Sequence, residues 1–204
     1  ADLHLEARDA FRRVVALEPK GGAAWAFLGL CEYQLREYER ALDHLQQARA
    51  LGLRGNEQLT RVTRYRLALL YSRFERFEES LKLLHLLARG SSAESPTLIE
   101  GLGIATLGMP YLPTELPPES RERVLRAGRA SYYWATYRMG DAEREHKELV
   151  TRYPHLPNVH YCYGVFLLPD QPDTALEEFR RELEISPSHV RARLQIAFEY
   201  IRRN

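Results

Sequence analysis

Glycine inside a helix costs about 1 kcal/mol relative to alanine. Yet Gly29 lies in the middle of "AAWAFLGLCEYQLREYERALDHLQQARALGL", residues 23 to 53, a strongly helix-forming run. Small residues recur with it at helical spacing, and the chain repeats the pattern. Ala7, Phe11, Val14 and Pro19 return 34 residues later as Ala41, Leu45, Ala48 and Leu53. The same face reappears 39 residues further on as Ser80, Leu84 and Leu87, with about five residues inserted in a longer first helix. Near the C-terminus, Tyr163, Gly164 and Leu167 return after 33 residues as Ile196, Ala197 and Tyr200. Helical repetition with such a period means stacked helix pairs, each unable to bury its apolar face alone. The glycine then has a reason: two helix backbones approach closely at Gly29 and Ala41, and packing offsets the propensity cost. Gly164 and Ala197 read as the same device, and Ser80 as its polar variant.

Trp25, Leu28, Gly29, Ala41, Leu45 and Ala48 fall on signature positions of the tetratricopeptide repeat, which the chain resembles. Ala7, Phe11 and Pro19 match in the helix before, and Ala175, Phe179 and Pro187 in a later one. Leu53 stands where that family usually has proline, and Glu32 where it has tyrosine, with Tyr33 beside it. The resemblance covers residues 1–90 and 156–204 and is looser between. It implies an all-α fold: a right-handed superhelix, or solenoid, of antiparallel helix pairs with an irregular Pro-rich insertion in the middle. We expect a single domain over residues 1–204, with regular repeats in 1–90 and 156–204 and irregular ones in 91–155.

Periodicity and breakers place helices at about 3–17, 22–36, 38–52, 56–75, 77–89, 95–109, 119–139, 141–153, 158–168, 172–185 and 188–203. Leu102-Gly103 sits at close-contact spacing. Pro110, Pro113, Pro117 and Pro118 forbid helix in "MPYLPTELPPES" and predict an extended connector. Its apolar and acidic "YLPTELPPE" could also plug a groove or project as a docking motif. Gly128 either divides two helices or lies within one long helix; we expect the long helix. The opening helix reads as a second helix without its first. Leaving Phe11 or Val14 exposed would forgo about 1.5–3 kcal/mol each, so a longer array or a partner is expected there. Charged residues around Ile196 and Tyr200 give the last helix the look of a solvating cap.

Composition narrows the function. The formal charge is +1, which gives no global pull toward nucleic acid or an anionic membrane. Of 29 basic residues only Lys20, Lys82 and Lys147 are lysines, a bias that points to a GC-rich, bacterial genome. No apolar run reaches the roughly 18 residues of a membrane span. A soluble protein is expected, in the bacterial cytoplasm or exported after removal of a leader. Cys31 and Cys162 read as small buried side chains. "GLGIATLG" lacks the spacing and the preceding strand of a nucleotide loop. His155 and His160 have the wrong separation for a one-face metal pair, and Cys162 completes no ligand set. Acidic pairs such as Glu78-Glu79 and Glu177-Glu178 read as solvated helix faces. The expectation is no enzyme, no cofactor, no metal and no catalytic residue.

The family's first helices line a concave side. Carried onto this sequence, the partner groove is Phe27, Leu30 and Tyr33, then Tyr65, Arg66, Leu69 and Arg73, then Glu100 and Ile104. Such a wall suits a peptide or helix of another, unidentified protein, with apolar anchors and a carboxylate held by Arg66 and Arg73. Members that bind heat-shock chaperones grip a carboxylate with lysines and asparagines on first helices, and these are missing here. The expected function is a noncatalytic protein-interaction scaffold without a small-molecule substrate. Two alternatives stand beside it. One is self-association of a larger protein through the N-terminal helix. The other is single-stranded nucleic-acid binding by the runs "RVTRYRLALLYSRFER" and "RERVLRAGR", against which the balanced charge argues.

Overall fold

The computed structural model describes residues 2–91 and 93–203, Asp2 by its backbone alone. Eleven α-helices and no strand are found among the described residues. They are α1 (Asp2–Leu17), α2 (Gly22–Gln34), α3 (Tyr38–Leu51), α4 (Glu57–Arg73), α5 (Phe77–Arg89), α6 (Pro96–Thr106), α7 (Arg121–Ala135), α8 (Met139–Arg152), α9 (Val159–Leu167), α10 (Pro172–Ile185) and α11 (Val190–Arg203). The architecture is all-α and built of helical hairpins. Two compact units divide it, Ala1–Leu87 and Ala88–Asn204. In the first unit α2 packs on α1, α3 and α4; in the second α7 packs on α6 and α8, α9 on α8 and α10, and α10 on α11.

One turn closes hairpin after hairpin. Arg36, Glu75, Gly108 and Tyr137 all have φ near +60°. The residue after each donates its N–H back to the last helical turn: Glu37 to Glu32 O, Arg76 to Tyr71 O, Met109 to Ile104 O and Arg138 to Tyr133 O. This double-bonded cap satisfies carbonyls that a helix end otherwise leaves open. Only Gly108 is a residue that conformation favours.

Seven residues before these turns stand Gly29, Ala68, Gly101 and Ala130, all buried. In the second helices a small residue precedes a larger one by four positions: Ala41 and Leu45, Ser80 and Leu84, Ala142 and His146, Ala175 and Phe179. All eight are buried. A Cβ on Gly29 would lie 2.8 Å from Leu45 Cγ, and one on Gly164 would lie 2.6 Å from the Phe179 ring. The tightest contact at Gly29 is therefore with Leu45, one turn beyond the expected Ala41. Ser80 is enclosed and accepts a hydrogen bond from Ser72 at 2.9 Å. Ala197, by contrast, is exposed and mediates no such contact.

Unit 2 carries the closest approach. α7 runs unbroken through Gly128, where a Cβ would lie 1.9 Å from Ile99 O; one on Gly103 would lie 1.8 Å from Val124 O. Two glycines thus hold α6 and α7 in backbone contact. The segment after α6 forms two short 3-10 turns, Pro113–Glu115 and Pro118–Ser120. Leu112 is buried, and Leu116 packs on the cluster of Ile104, Leu107, Val124, Ala127, Leu149 and Val159. The proline segment is thus part of this unit's core, and its leucines do not project. α11 differs from the cap expected of it: Val190, Leu194, Phe198 and Ile201 are exposed.

Backbone clashes cannot be relieved by a rotamer change, whereas Leu45 can shift. Gly128→Ala is therefore expected to cost about 3 kcal/mol and Gly29→Ala about 1 kcal/mol in urea unfolding.

His146 occupies the site of Leu45 and Phe179. It is enclosed by Tyr163 and Phe166, with ring centroids 5.6 and 5.0 Å away, and neither ring nitrogen has a hydrogen-bond partner. Burial pushes its pKa down to about 3. A histidine depressed in the fold contributes fully above its unfolded value of about 6.5 and loses that contribution as pH falls toward 3. His146→Leu is expected to unfold at higher temperature at pH 7. It should also lack the wild-type decline of about 1.4 kcal/mol per pH unit across that window.

Candidate partner-binding face

The first unit brings three of the expected groove residues together. α2 supplies Tyr33, and α4 supplies Tyr65 and Arg66. The Arg66 guanidinium carbon lies 4.8 Å from the Tyr33 ring centroid and 5.7 Å from that of Tyr65. Stacking on aromatic rings orients the planar guanidinium and leaves its N–H edge able to donate. Tyr38, at the start of α3, meets Tyr33 edge to face at 5.7 Å. All four side chains are half-buried. Arg66 has no carboxylate partner among the described residues. Sequence reasoning missed Tyr38, because it lies on a second helix that the concave-side rule leaves out.

The remaining expected residues sit in other settings. Phe27 is exposed and stacks on Phe11 of α1, with centroids 5.1 Å apart. Leu30 is half-buried against Ala26, Ala48 and Leu59, so much of it serves the core. Arg73 is half-buried at the end of α4. Glu100 belongs to the second unit and lies 3.7 Å from Arg121. Leu69 and Ile104 require correction: both are 0% exposed and cannot line an open surface. Leu67 through Ser72 are buried without a break, as are Gly101 through Leu107. The C-terminal halves of α4 and α6 are enclosed on every side, so they have no free face there.

Buried charge is paired. Glu32, in place of the family's tyrosine, lies 2.6 Å from His44 Nδ1 and 3.5 Å from Arg12. Glu182 accepts the N–H groups of Asn158 and Tyr161 at 2.8 and 3.1 Å, at the positive end of α9. His160 Nδ1 faces Glu178 at 2.6 Å and Nε2 faces Pro154 O at 3.0 Å. Acceptors at both nitrogens favour the charged ring, and its pKa is raised, first by the Glu178 hydrogen bond. His155 is exposed. Cys162 donates its thiol to Thr106 O at 3.0 Å, and burial pushes its pKa up to about 12. Both cysteines are free thiols. No grouping of three or more metal-ligating side chains occurs among the described residues, and no described helix is long and apolar enough to cross a membrane.

No protein-family model and no curated protein matches the chain. Among solved structures it resembles MamA (residues 41 to the end) from Desulfovibrio magneticus RS-1, with 16% identity over 91% of this chain and 87% of that one, at a TM-score of 0.43. YrrB, described as a TPR protein with an unusual peptide-binding site, shares 18% identity over 91% of this chain and 97% of its own, at 0.40. In the APC/C hetero-tetramer Cut9-Hcn1, 16% identity extends over 96% of this chain but 39% of that one, at 0.40. At these identities and TM-scores the likenesses carry no functional information.

A thiol titrating near 12 is almost entirely protonated at pH 8. Cys162 is expected to resist iodoacetamide in the folded chain and to react within minutes once the chain is unfolded, as read by peptide mass spectrometry.

Proposed function

We propose that the chain is a noncatalytic scaffold that holds a peptide or helix of another protein against the face where α2 meets α4. The observation that carries this reading is Arg66 set between Tyr33 and Tyr65 without a carboxylate partner of its own among the described residues. Aromatic rings provide apolar contact area at low entropic cost, and an oriented guanidinium accepts a carboxylate in bidentate fashion. A segment with an acidic residue beside apolar or aromatic anchors fits both features. The hairpin architecture suits the role, since stacked repeats present extended surfaces while their cores remain closed.

The charge pairing of "RERVLRAGR" supports a protein over a nucleic acid. Arg121 lies near Glu100, Arg123 bonds Ser120, and Arg126 and Arg129 both pair with Glu145. Three of these four guanidinium groups thus lie near a carboxylate, and Arg123 is bonded to a serine. A guanidinium paired with a carboxylate has less to offer a phosphate. Self-association through α1 is a second reading, favoured by Leu3 and Leu17, which are 80% and 83% exposed. Concentration-dependent sedimentation abolished by Leu17→Glu would support it.

The test of the main reading is an array of twelve-residue peptides, each with one central glutamate among leucine and phenylalanine. Hits should weaken about tenfold or more for Arg66→Glu, and again for Tyr33→Ala, in fluorescence anisotropy. Equal affinity of the native chain and both variants would overturn the assignment to this face.

A further inference from the structure

A second polar feature of the first unit lies where the end of α3 meets α4. A cavity of about 80 Å³ is lined by Arg49, Gly52, Leu53, Thr60, Thr63, Arg64 and Leu67. Its most informative group is Thr63, which is 1% exposed and whose hydroxyl has no hydrogen-bond partner. A buried unpaired hydroxyl is costly, and threonine in mid-helix normally returns its hydroxyl to the preceding turn. Thr60, three residues earlier, does just that, bonding Asn56 O at 2.8 Å and reaching Leu53 O at 3.3 Å. Thr63 forgoes the same option and lines the cavity instead.

Two arginines line this space, Arg49 exposed and Arg64 half-buried, and neither has a carboxylate partner among the described residues. Arg49 lies in the last turn of α3, where the helix dipole alone favours a cation. Arg64 has no such reason. It stands within α4, half-buried, directly after Thr63. Leu53 and Leu67 form apolar walls that strengthen any charge pairing inside. Gly52, at φ +86° and ψ 151°, closes the end of α3 in a region essentially open to glycine alone, so backbone and not a side chain borders the space.

We propose that this cavity binds a single phosphate group, as the free ion or as a phosphomonoester. Two guanidinium forks carry the charge of a phosphate dianion with the opposite sign and match its oxygens in pairs. The Thr63 hydroxyl supplies a donor otherwise without use. The space accommodates one tetrahedral group, with the rest of any ester outside. This site is distinct from the Tyr33, Tyr65 and Arg66 face, and neither assignment depends on the other.

The experiment is thermal unfolding and calorimetric titration of the full chain with inorganic phosphate, against sodium chloride at equal ionic strength. O-phosphoserine provides the ester arm. Phosphate is expected to raise the unfolding midpoint with concentration, as a ligand of the folded state must. Arg64→Gln should weaken binding by roughly tenfold or more, the effect of one lost charge-assisted bond. Thr63→Val separates a binding role from a structural one. It should raise the midpoint without phosphate, by removing an unpaired hydroxyl, and weaken phosphate binding at the same time. Tighter binding of phosphate than of phosphoserine assigns the free ion, and the reverse assigns an ester. A phosphate effect no larger than that of chloride overturns the proposal. So does binding unchanged in Arg64→Gln, or a lower midpoint for Thr63→Val without phosphate.

Discussion

The distance at which two helix backbones approach one another governs this molecule. Gly29 and Gly164 leave a hollow on a first helix, and Leu45 and Phe179 from the second helix fill it. Ala68 and Ala130 hold the corresponding places and are fully buried. Larger residues there would push the helices apart and open the core along the whole pair, since interiors packed to this density give little. The α6–α7 pair takes the same principle further, because Gly103 and Gly128 each face backbone and not a side chain. Left-handed turns at Arg36, Glu75 and Tyr137 reverse the chain within a few residues, and the one at Gly108 ends α6 before the longer proline segment. The cap accepts a conformation unfavourable to three of the four residues.

Close packing also decides what is left for function. The C-terminal halves of α4 (up to Ser72) and α6 are enclosed on every side, so those stretches contribute no open side chain. In α4 the half-buried arginines are Arg66 beside Tyr33 and Tyr65, Arg64 at the cavity that Thr63 also lines, and Arg73 at the helix end. Two residues apart, Arg66 and Arg64 stand in different surroundings: the first against aromatic rings, the second at a small cavity. Each has a guanidinium without a carboxylate among the described residues, unlike Arg126, Arg138 and Arg202, which are tied to acids.

Charge inside the units is structural. Glu32 with His44, Glu178 with His160, and Glu182 at the start of α9 are carboxylates met by an imidazole or by backbone N–H groups. Removing one partner of such a pair leaves the other buried and uncompensated, which is why they tie helices into a definite register. His146 is the exception. Its imidazole is treated as an apolar ring, stacked on Tyr163 and kept neutral by burial.

The eleven helices, their breaks and the small-residue device at Gly29 and Gly164 were legible in the amino-acid sequence. Helical periodicity, capping and glycine or proline punctuation are local, and a short window contains them. Ala68 and Ala130 escaped notice because alanine is an ordinary helix residue and gives no signal by itself. The contact faces were another matter. Leu69 and Ile104 fall where the tetratricopeptide resemblance implies groove residues, but whether a face is open depends on helices far away in the chain. The meeting of Tyr33 with Arg66, the backbone contact at Gly103 and Gly128, and the unpaired hydroxyl of Thr63 arise the same way. Sequence determined which segments are helices and where two of them could approach closely; only the tertiary structure decided which side chains that approach buries, because burial is a property of neighbours and not of the residue that carries it.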